Sequence, residues 1–523
     1  MNKPGQHGRY SASRVRKALV FFIVGRGAQA LTFLLLTLLL VRVLSARDYG
    51  AYMAVWGMVE LMVPLSSFGL LEATRRYLPM LAQTGSRQAV LPFVRGVVLV
   101  RLGLLALWAT GLALLWPAVM KFLGVERQEL GHALAAAGAV AVICSVPAFR
   151  FVSEMLESLL EQKWSQLLHA AMPLVRMLGV AALMLSGALD LGLLLLVDAG
   201  IALLFLLAAL WVLGGKLREI PEGEPAPLDF KEVLSFSWHM TGVNLLQATA
   251  SIGALRLLVA RYLGLEVAGM FAFLQQLLLM VGRYMPAQVL GSVVRPVLAA
   301  RHAQGEHDTV MGALELLWKA NLMMLVVWLA AVGVSGDELM AQASGGRFAD
   351  TGPVMFLMLL GLGATTQGQN ISMCMQLYGI TKQLRAQSVL FLLVPLGVVL
   401  GSRYGLLGVA AGIAITHGFK NIFATWWLRR QGIHLAYDLR ALGRITVAMA
   451  IAVLLAAALH AALGPWVALG MLGLFTLAAM VLCKPLRESE FQLMSGFFKG
   501  KGRRGRLATW LHALVHIDRK GLT

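Results

Sequence analysis

A guanidinium, ammonium or carboxylate inside a long apolar run has to be held by something. Arg26, Arg101, Arg176, Arg256, Arg283, Lys319 and Lys420 lie in such runs, against the acids Glu60 and Asp198. A charge at the centre of a bilayer costs at least about 2.5–3.5 kcal/mol on insertion scales, so each side chain is expected to face protein, a watery cavity or, near an interface, the headgroups. Mutual pairing neutralises at most two of the cations. The surplus is suited to an anion, which arginine meets with a planar fork that bonds two oxygens at once. Arg101, Lys319 and Lys420 stand near enough to the ends of their runs that snorkelling is the expectation, while Arg176 and Arg283 are open between headgroup and cavity. Glu60, in mid-run, has two readings, a structural pair with Arg26 or a site for a coupling cation or proton. Asp198 has the same two readings.

No other chemistry is readable. The chain has no nucleophile elbow, P-loop, zinc-ligand spacing or dinucleotide fingerprint. Cys144, Cys374 and Cys483 lie in or beside apolar runs with no CxxC and no Cys/His cluster, so they read as small core residues. Neither an enzyme nor a resident metal or cofactor is expected.

The elements that carry these charges are membrane helices. Of 523 residues 59% are hydrophobic and 14% charged, and the mean hydropathy is +0.75. Soluble chains average about 25% charged. The pattern predicts an all-α polytopic membrane protein with fourteen helices, at about 18–41, 50–71, 97–118, 132–149, 166–186, 191–214, 235–260, 268–293, 311–333, 353–378, 387–402, 406–427, 445–461 and 464–482. The basic N-terminal stretch before Ala18 resembles a signal peptide, but the apolar run behind it continues to Val41, too long for one, and is read as the first span.

With the N-terminus inside, only Arg42, Arg47, Lys121, Arg127, Arg261, Arg347 and Arg403 fall in outer loops. That asymmetry predicts both termini in the cytoplasm of a bacterial inner membrane. It also assigns the net charge of +19 to membrane topology, so that no nucleic-acid partner is expected.

The segment 215–234, charged on both signs and carrying Pro221, Gly223, Pro225 and Pro227, reads as a cytoplasmic linker. It separates an N-lobe, 1–214, from a C-lobe, 235–427, of six helices each. An extra pair follows in 428–483, and then a basic tail, 484–523, in which Leu507, Trp510, Leu511, Leu514 and Val515 keep the spacing of an interfacial helix. The lobes repeat. Arg42–Tyr52 after the first helix matches Arg261–Phe271 after the seventh, and the same offset carries Arg76 onto Arg295 and Lys163 onto Lys382. Six spans return the chain to its starting side, so the repeats run parallel and a substrate path is expected between the lobes.

Three stretches carry a family resemblance: Arg42–Tyr52 running on to Thr74-Arg75-Arg76-Tyr77-Leu78-Pro79; Leu234-Ser-Phe-Ser through Arg261-Tyr-Leu-Gly264; and Arg403-Tyr404-Gly405-Leu-Leu-Gly408-Val-Ala410-Ala411. Over roughly 15–430 the chain resembles the polysaccharide-biosynthesis flippases of the multidrug/oligosaccharidyl-lipid/polysaccharide exporter superfamily. The resemblance implies a lipid-linked oligosaccharide as substrate: a repeat unit on undecaprenyl pyrophosphate, turned to the outer leaflet by alternating access. Membrane lipids, and other polysaccharide-assembly proteins, would be its partners. It also puts cavity-lining residues on the first helix of each lobe, which selects Arg26 and Arg256. Gln367, Gln369 and Asn370 form a polar band that is either interhelical hydrogen bonding or sugar contact. A drug/cation antiporter of the same superfamily, expected to carry acids in its cavity, and a lipid II flippase remain alternatives. The short outer loops disfavour a membrane glycosyltransferase or polymerase.

Overall fold

The computed structural model describes residues 12–83, 86–124, 133–223, 230–288, 298, 301–302, 304–380, 387–435, 437–483, 486–487 and 515–516. These residues form helices almost throughout; the exception is a two-residue parallel strand pair, Leu486–Arg487 with Val515–His516. Over the described residues each of the fourteen sequence-predicted spans lies mostly on helix; 132 and 289–293, at the ends of the fourth and eighth, lie outside them. Among the described residues eight helices are long and apolar enough to cross a membrane, or up to ten if each of two bent pairs is one span. One of the eight, 387–430, folds back on itself at Gly405, whose φ of +68° suits glycine. There Gly401 lies against Gly408 and Gly397 against Gly412, so it makes two antiparallel passes. The expected interfacial helix in the tail lies outside the described residues except Val515, which is in the strand pair.

The chain divides into two compact units, 1–276 and 277–523. In the first, α1 (Ala12–Val43) packs along α6 (Gln162–Leu185), and α5 (Ala133–Ser158) along α7 (Leu191–Arg218). Between them stands α2 (Ala46–Leu65), buried at every position from Tyr49 to Val59. Its start is capped by Ser45, whose hydroxyl accepts the Asp48 N–H at 3.0 Å, with Asp48 itself in the first turn where the helix dipole favours an anion. It stops beyond Pro64. Phe68 and Gly69 both take positive φ, +44° and +69°, and the chain leaves at 54° into α3 (Leu70–Gln83). α4 (Arg87–Leu123) then packs on α3 and α5. The stretch after α7 is tied down, with the Arg87 N–H donating to the Pro221 carbonyl at 2.8 Å.

The seventh span is not one rod. α8 (Phe230–Ala248) and α9 (Ile252–Leu263) meet at 41°, and Ser251 caps the second piece by accepting the Ala254 N–H. α9 and the start of α10 (Leu265–Tyr284) lie directly on α2. A Cβ on Gly50 would fall inside the Leu265 carbonyl group, and one on Gly253 inside that of Gly57. Backbones approach this closely only where side chains are missing, the usual means of helix association in lipid.

In the second unit, α11 (His307–Ser344) packs on α12 (Gly352–Leu377), and α12 on α14 (Gly405–Arg430), which forms the hairpin with α13 (Leu393–Gly401). α15 (Leu439–Leu463) and α16 (Pro465–Cys483) pair with each other and lie on α11 through Ala330, Ile445, Met449, Ala452 and Ala456.

Candidate functional site

Tyr52, Trp56 and Glu60 succeed one another four residues apart and so share a face of α2. Two ion pairs are arranged along it. The first is buried: Arg176 on α6 meets Asp198 on α7 through two hydrogen bonds of 2.8 Å, with side-chain exposures of 5% and 2%. The Tyr52 hydroxyl donates to Asp198 at 2.6 Å and accepts from Arg176. The Arg176 guanidinium also lies over the Trp56 ring, 4.2 Å from its centroid. This satisfies both carboxylate oxygens, as a buried pair requires. Arg176 is therefore turned into the helix bundle, not to headgroups, and Asp198 is spent on it.

The second pair differs in exposure. Arg150 on α5 donates to both oxygens of Glu60, at 2.7 and 2.9 Å, yet the two side chains remain 34% and 33% exposed. Glu60 stands inside a membrane span, where an exposed ion pair is tolerable only against water or protein. Among the described residues Glu60 has a structural partner in Arg150; the side chain of Arg26, the partner expected from the sequence, lies outside them.

Two further arginines reach α2. Arg256 on α9 packs its Cβ against Gly57, is 2% exposed, and donates from Nε to the Gln275 amide oxygen at 2.7 Å; its Nη2 has no hydrogen-bond partner. Gln275 lies 19 residues on, in the next helix, and is the polar neighbour that the flanking sequence lacked. Arg101 on α4 is also buried, not snorkelled. Its Nη2 is 3.5 Å from the Val63 carbonyl, its guanidinium lies over Phe151, and its Nε and Nη1 have no hydrogen-bond partner. Glu72 attracts it through space. Thus four helices each direct an arginine at α2, and the acids hydrogen-bonded to these arginines are Glu60 and Asp198. The site can hold anion oxygens, and it carries unused donors.

In the second unit the charges are mostly matched. Lys319, expected near the headgroups, is fully buried, with Asp438 at 2.9 Å and Glu315 at 3.8 Å; Arg487 also reaches Asp438, at 2.9 Å. Lys420 does not snorkel either: it is buried, with Nζ 3.8 Å from the Phe391 ring centroid. The polar band of α12 is hydrogen-bonded within the protein. Gln367 donates to the Tyr437 hydroxyl at 2.8 Å, Asn370 contacts Gln367 at 3.5 Å, and Gln288 donates to Gln369 at 2.9 Å. Arg283 is exposed near the end of α10. Among the described residues no cluster of His, Cys, Asp and Glu could hold a metal, and the three cysteines are free.

Solved structures share this helix arrangement. The lipid II flippase MurJ, in an inward closed conformation, aligns over 88% of this chain and 98% of its own, at 11% identity and a TM-score of 0.66. An inward-facing multidrug resistance MATE family transporter of the MOP superfamily aligns over 77% and 94%, at 14% identity and a TM-score of 0.59. MATE in the bent conformation aligns over 80% and 95%, at 15% identity and 0.54. The fold is that of MurJ and the MATE transporters. No family model matches the sequence, and no curated protein matches it.

Proposed function

We propose that this chain is a flippase for an anionic, lipid-linked saccharide: the oligosaccharide repeat unit on undecaprenyl pyrophosphate that serves surface polysaccharide assembly. The observation that carries the reading is the set of arginines around α2. Arg101, Arg150, Arg176 and Arg256 outnumber the acids hydrogen-bonded to them, and Arg101 and Arg256 keep buried N–H groups with no acceptor. A diphosphate supplies the missing oxygens. A cationic drug would meet the wrong sign of charge.

The exposed Glu60–Arg150 pair is where the exchange begins. An incoming phosphate takes the Arg150 fork, and the released Glu60 carboxylate takes up a coupling proton or cation. The diphosphate then reaches Arg256, with Arg26 on α1 as a further ligand, and the sugar moves through water past polar groups such as Gln367 and Asn370. Arg283 serves the entering headgroup. The polyprenyl chain stays in hydrocarbon, since a hydrophilic glycan cannot cross lipid unaided whereas the chain need never leave it. Alternating access is a rocking of lobe 1–214 against lobe 235–427, during which the contact of α2 with α9 and α10 parts, while α15 and α16 stay peripheral.

The test is export of surface polysaccharide in cells carrying Arg256→Ala, Arg256→Lys or Arg150→Ala at matched protein levels. The alanine variants should abolish export and Lys should restore part of it, because charge survives while the fork is lost. Normal export by both alanine variants would remove the anionic-lipid reading and favour a cation antiporter.

A further inference from the structure

α15 has two faces of opposite character. Ala441, Ile445, Met449, Ala452 and Ala456 are buried against the rest of the second unit. Val447, Ile451 and Leu455 are about half exposed or more. On this open side, α15 and α16 enclose a groove of about 640 Å³, with Phe475 on the α16 wall. Its lining is apolar except at one end, where Arg440 and Arg444 stand. Among the described residues neither is in an ion pair, and the Arg444 Nε is buried with no hydrogen-bond partner. The nearest acid on the element, Asp438, is bound by Lys319 and Arg487 and caps α15 through the Ala441 N–H. Two cations at a helix N-terminus, with their local acid matched, favour a phosphate.

We infer that this groove is a binding site for an anionic diacyl phospholipid of the inner leaflet. Its phosphate lies between Arg440 and Arg444, and one acyl chain follows Val447, Ile451 and Leu455. Charge selects the headgroup: the distribution of basic residues puts the start of α15 at the cytoplasmic face, where anionic lipids meet basic pockets between helices. Length selects the chain. From Arg440 to Leu455 the helix rises roughly 22 Å at about 1.5 Å per residue, more than half of a hydrocarbon core about 30 Å thick. That suits one leaflet's acyl chain and is too short for a polyprenyl chain to lie extended. The site is remote from α2 in sequence and chemistry, and does not rest on the proposed transport reaction.

Native mass spectrometry of the detergent-purified full-length protein tests this, titrated with phosphatidylglycerol and with phosphatidylethanolamine of the same acyl chains. Wild type should retain phosphatidylglycerol preferentially. The R440Q/R444Q double variant should lose about 30-fold of that preference, at roughly five-fold per basic residue near an anionic headgroup. G443L is the second variant. A Cβ at Gly443 meets nothing within 4 Å, so the leucine folds without a clash and fills the groove. It should lower retention with both arginines intact. Equal retention of the two lipids by wild type, or undiminished retention by either variant, overturns the proposal. One-for-one displacement of phosphatidylglycerol by polyprenyl diphosphate also overturns it, since the groove would then belong to a transported lipid.

Discussion

Glu60 and Arg150 are joined by two hydrogen bonds of 2.7 and 2.9 Å, while a third of each side chain stays open. The pair is closed enough to hold its partners and open enough to exchange one of them. Asp198 and Arg176, one turn and more away along α2, are not. The two acids that the sequence could not tell apart thereby differ, one in a pair that stays partly open and one fixed in the bundle.

For the open pair we expect Glu60→Gln to bind substrate anion more tightly and transport it more slowly, because Arg150 no longer has to be released while the carboxylate that would take up a proton or cation is gone. Binding and turnover measured on the same preparation check this. Weaker binding by E60Q would place Glu60 among the substrate's own ligands.

For the closed pair the expected effect is on stability. Asp198→Asn leaves Arg176 buried beside a neutral partner, and breaking such a pair costs about 3–5 kcal/mol. Replacing both, as R176M/D198L, removes the uncompensated charge and should unfold later than D198N. Thermal unfolding in detergent decides; equal midpoints for D198N and wild type would mean that water already reaches the pair.

Some of this was legible in the sequence. The described part of every span lies mostly on helix because a long apolar run in lipid leaves the chain few alternatives. Glu315, four residues before Lys319, is a partner that helical spacing alone reveals. Arg150 was missed because the fourth apolar run ends at Phe149, whereas the helix continues to Ser158 and carries Arg150 back over α2. The Gln275 partner of Arg256 and the Asp438 partner of Lys319 come from other helices, and pairing between helices leaves no periodic trace. Snorkelling failed for Arg101, Lys319 and Lys420 for the same reason: each found a partner or ring inside the protein at less cost than reaching the headgroups.

The glycine contact of α2 has its own consequence. Gly50→Ala puts a methyl into the Leu265 carbonyl group, with backbone on both sides and no flexible side chain to yield. It should lower the unfolding midpoint by several degrees. Gly103→Ala, with open space around it, should not lower it. Unchanged midpoints for both would show that α2 and α10 stand further apart in solution.

Asp438 gives a pH dependence. Burial alone would raise its carboxyl, but hydrogen bonds from the Ala441 N–H and the Lys319 ammonium, with the Arg487 charge, draw it from 3.8 down to about 2. A depressed carboxyl stabilises the fold fully above its unfolded value and loses that stabilisation as pH falls through the folded one. The unfolding midpoint should therefore fall between pH 4 and 2. Asp438→Asn should start lower at pH 5 and lose less over that range; a parallel descent would exclude Asp438 as the titrating group.

The central claim is that the arginines around α2 hold a lipid diphosphate, and equilibrium binding of polyprenyl diphosphate to the purified protein tests it most directly, with polyprenol and a cationic dye as comparison ligands. Wild type should bind the diphosphate and not the polyprenol. Arg150→Ala and Arg256→Ala should each weaken binding by roughly 10–100-fold, the usual worth of a hydrogen bond to a charged group, with Arg150→Lys recovering part. Binding of the cationic dye that depends on Glu60, with no binding of the diphosphate, would contradict the account.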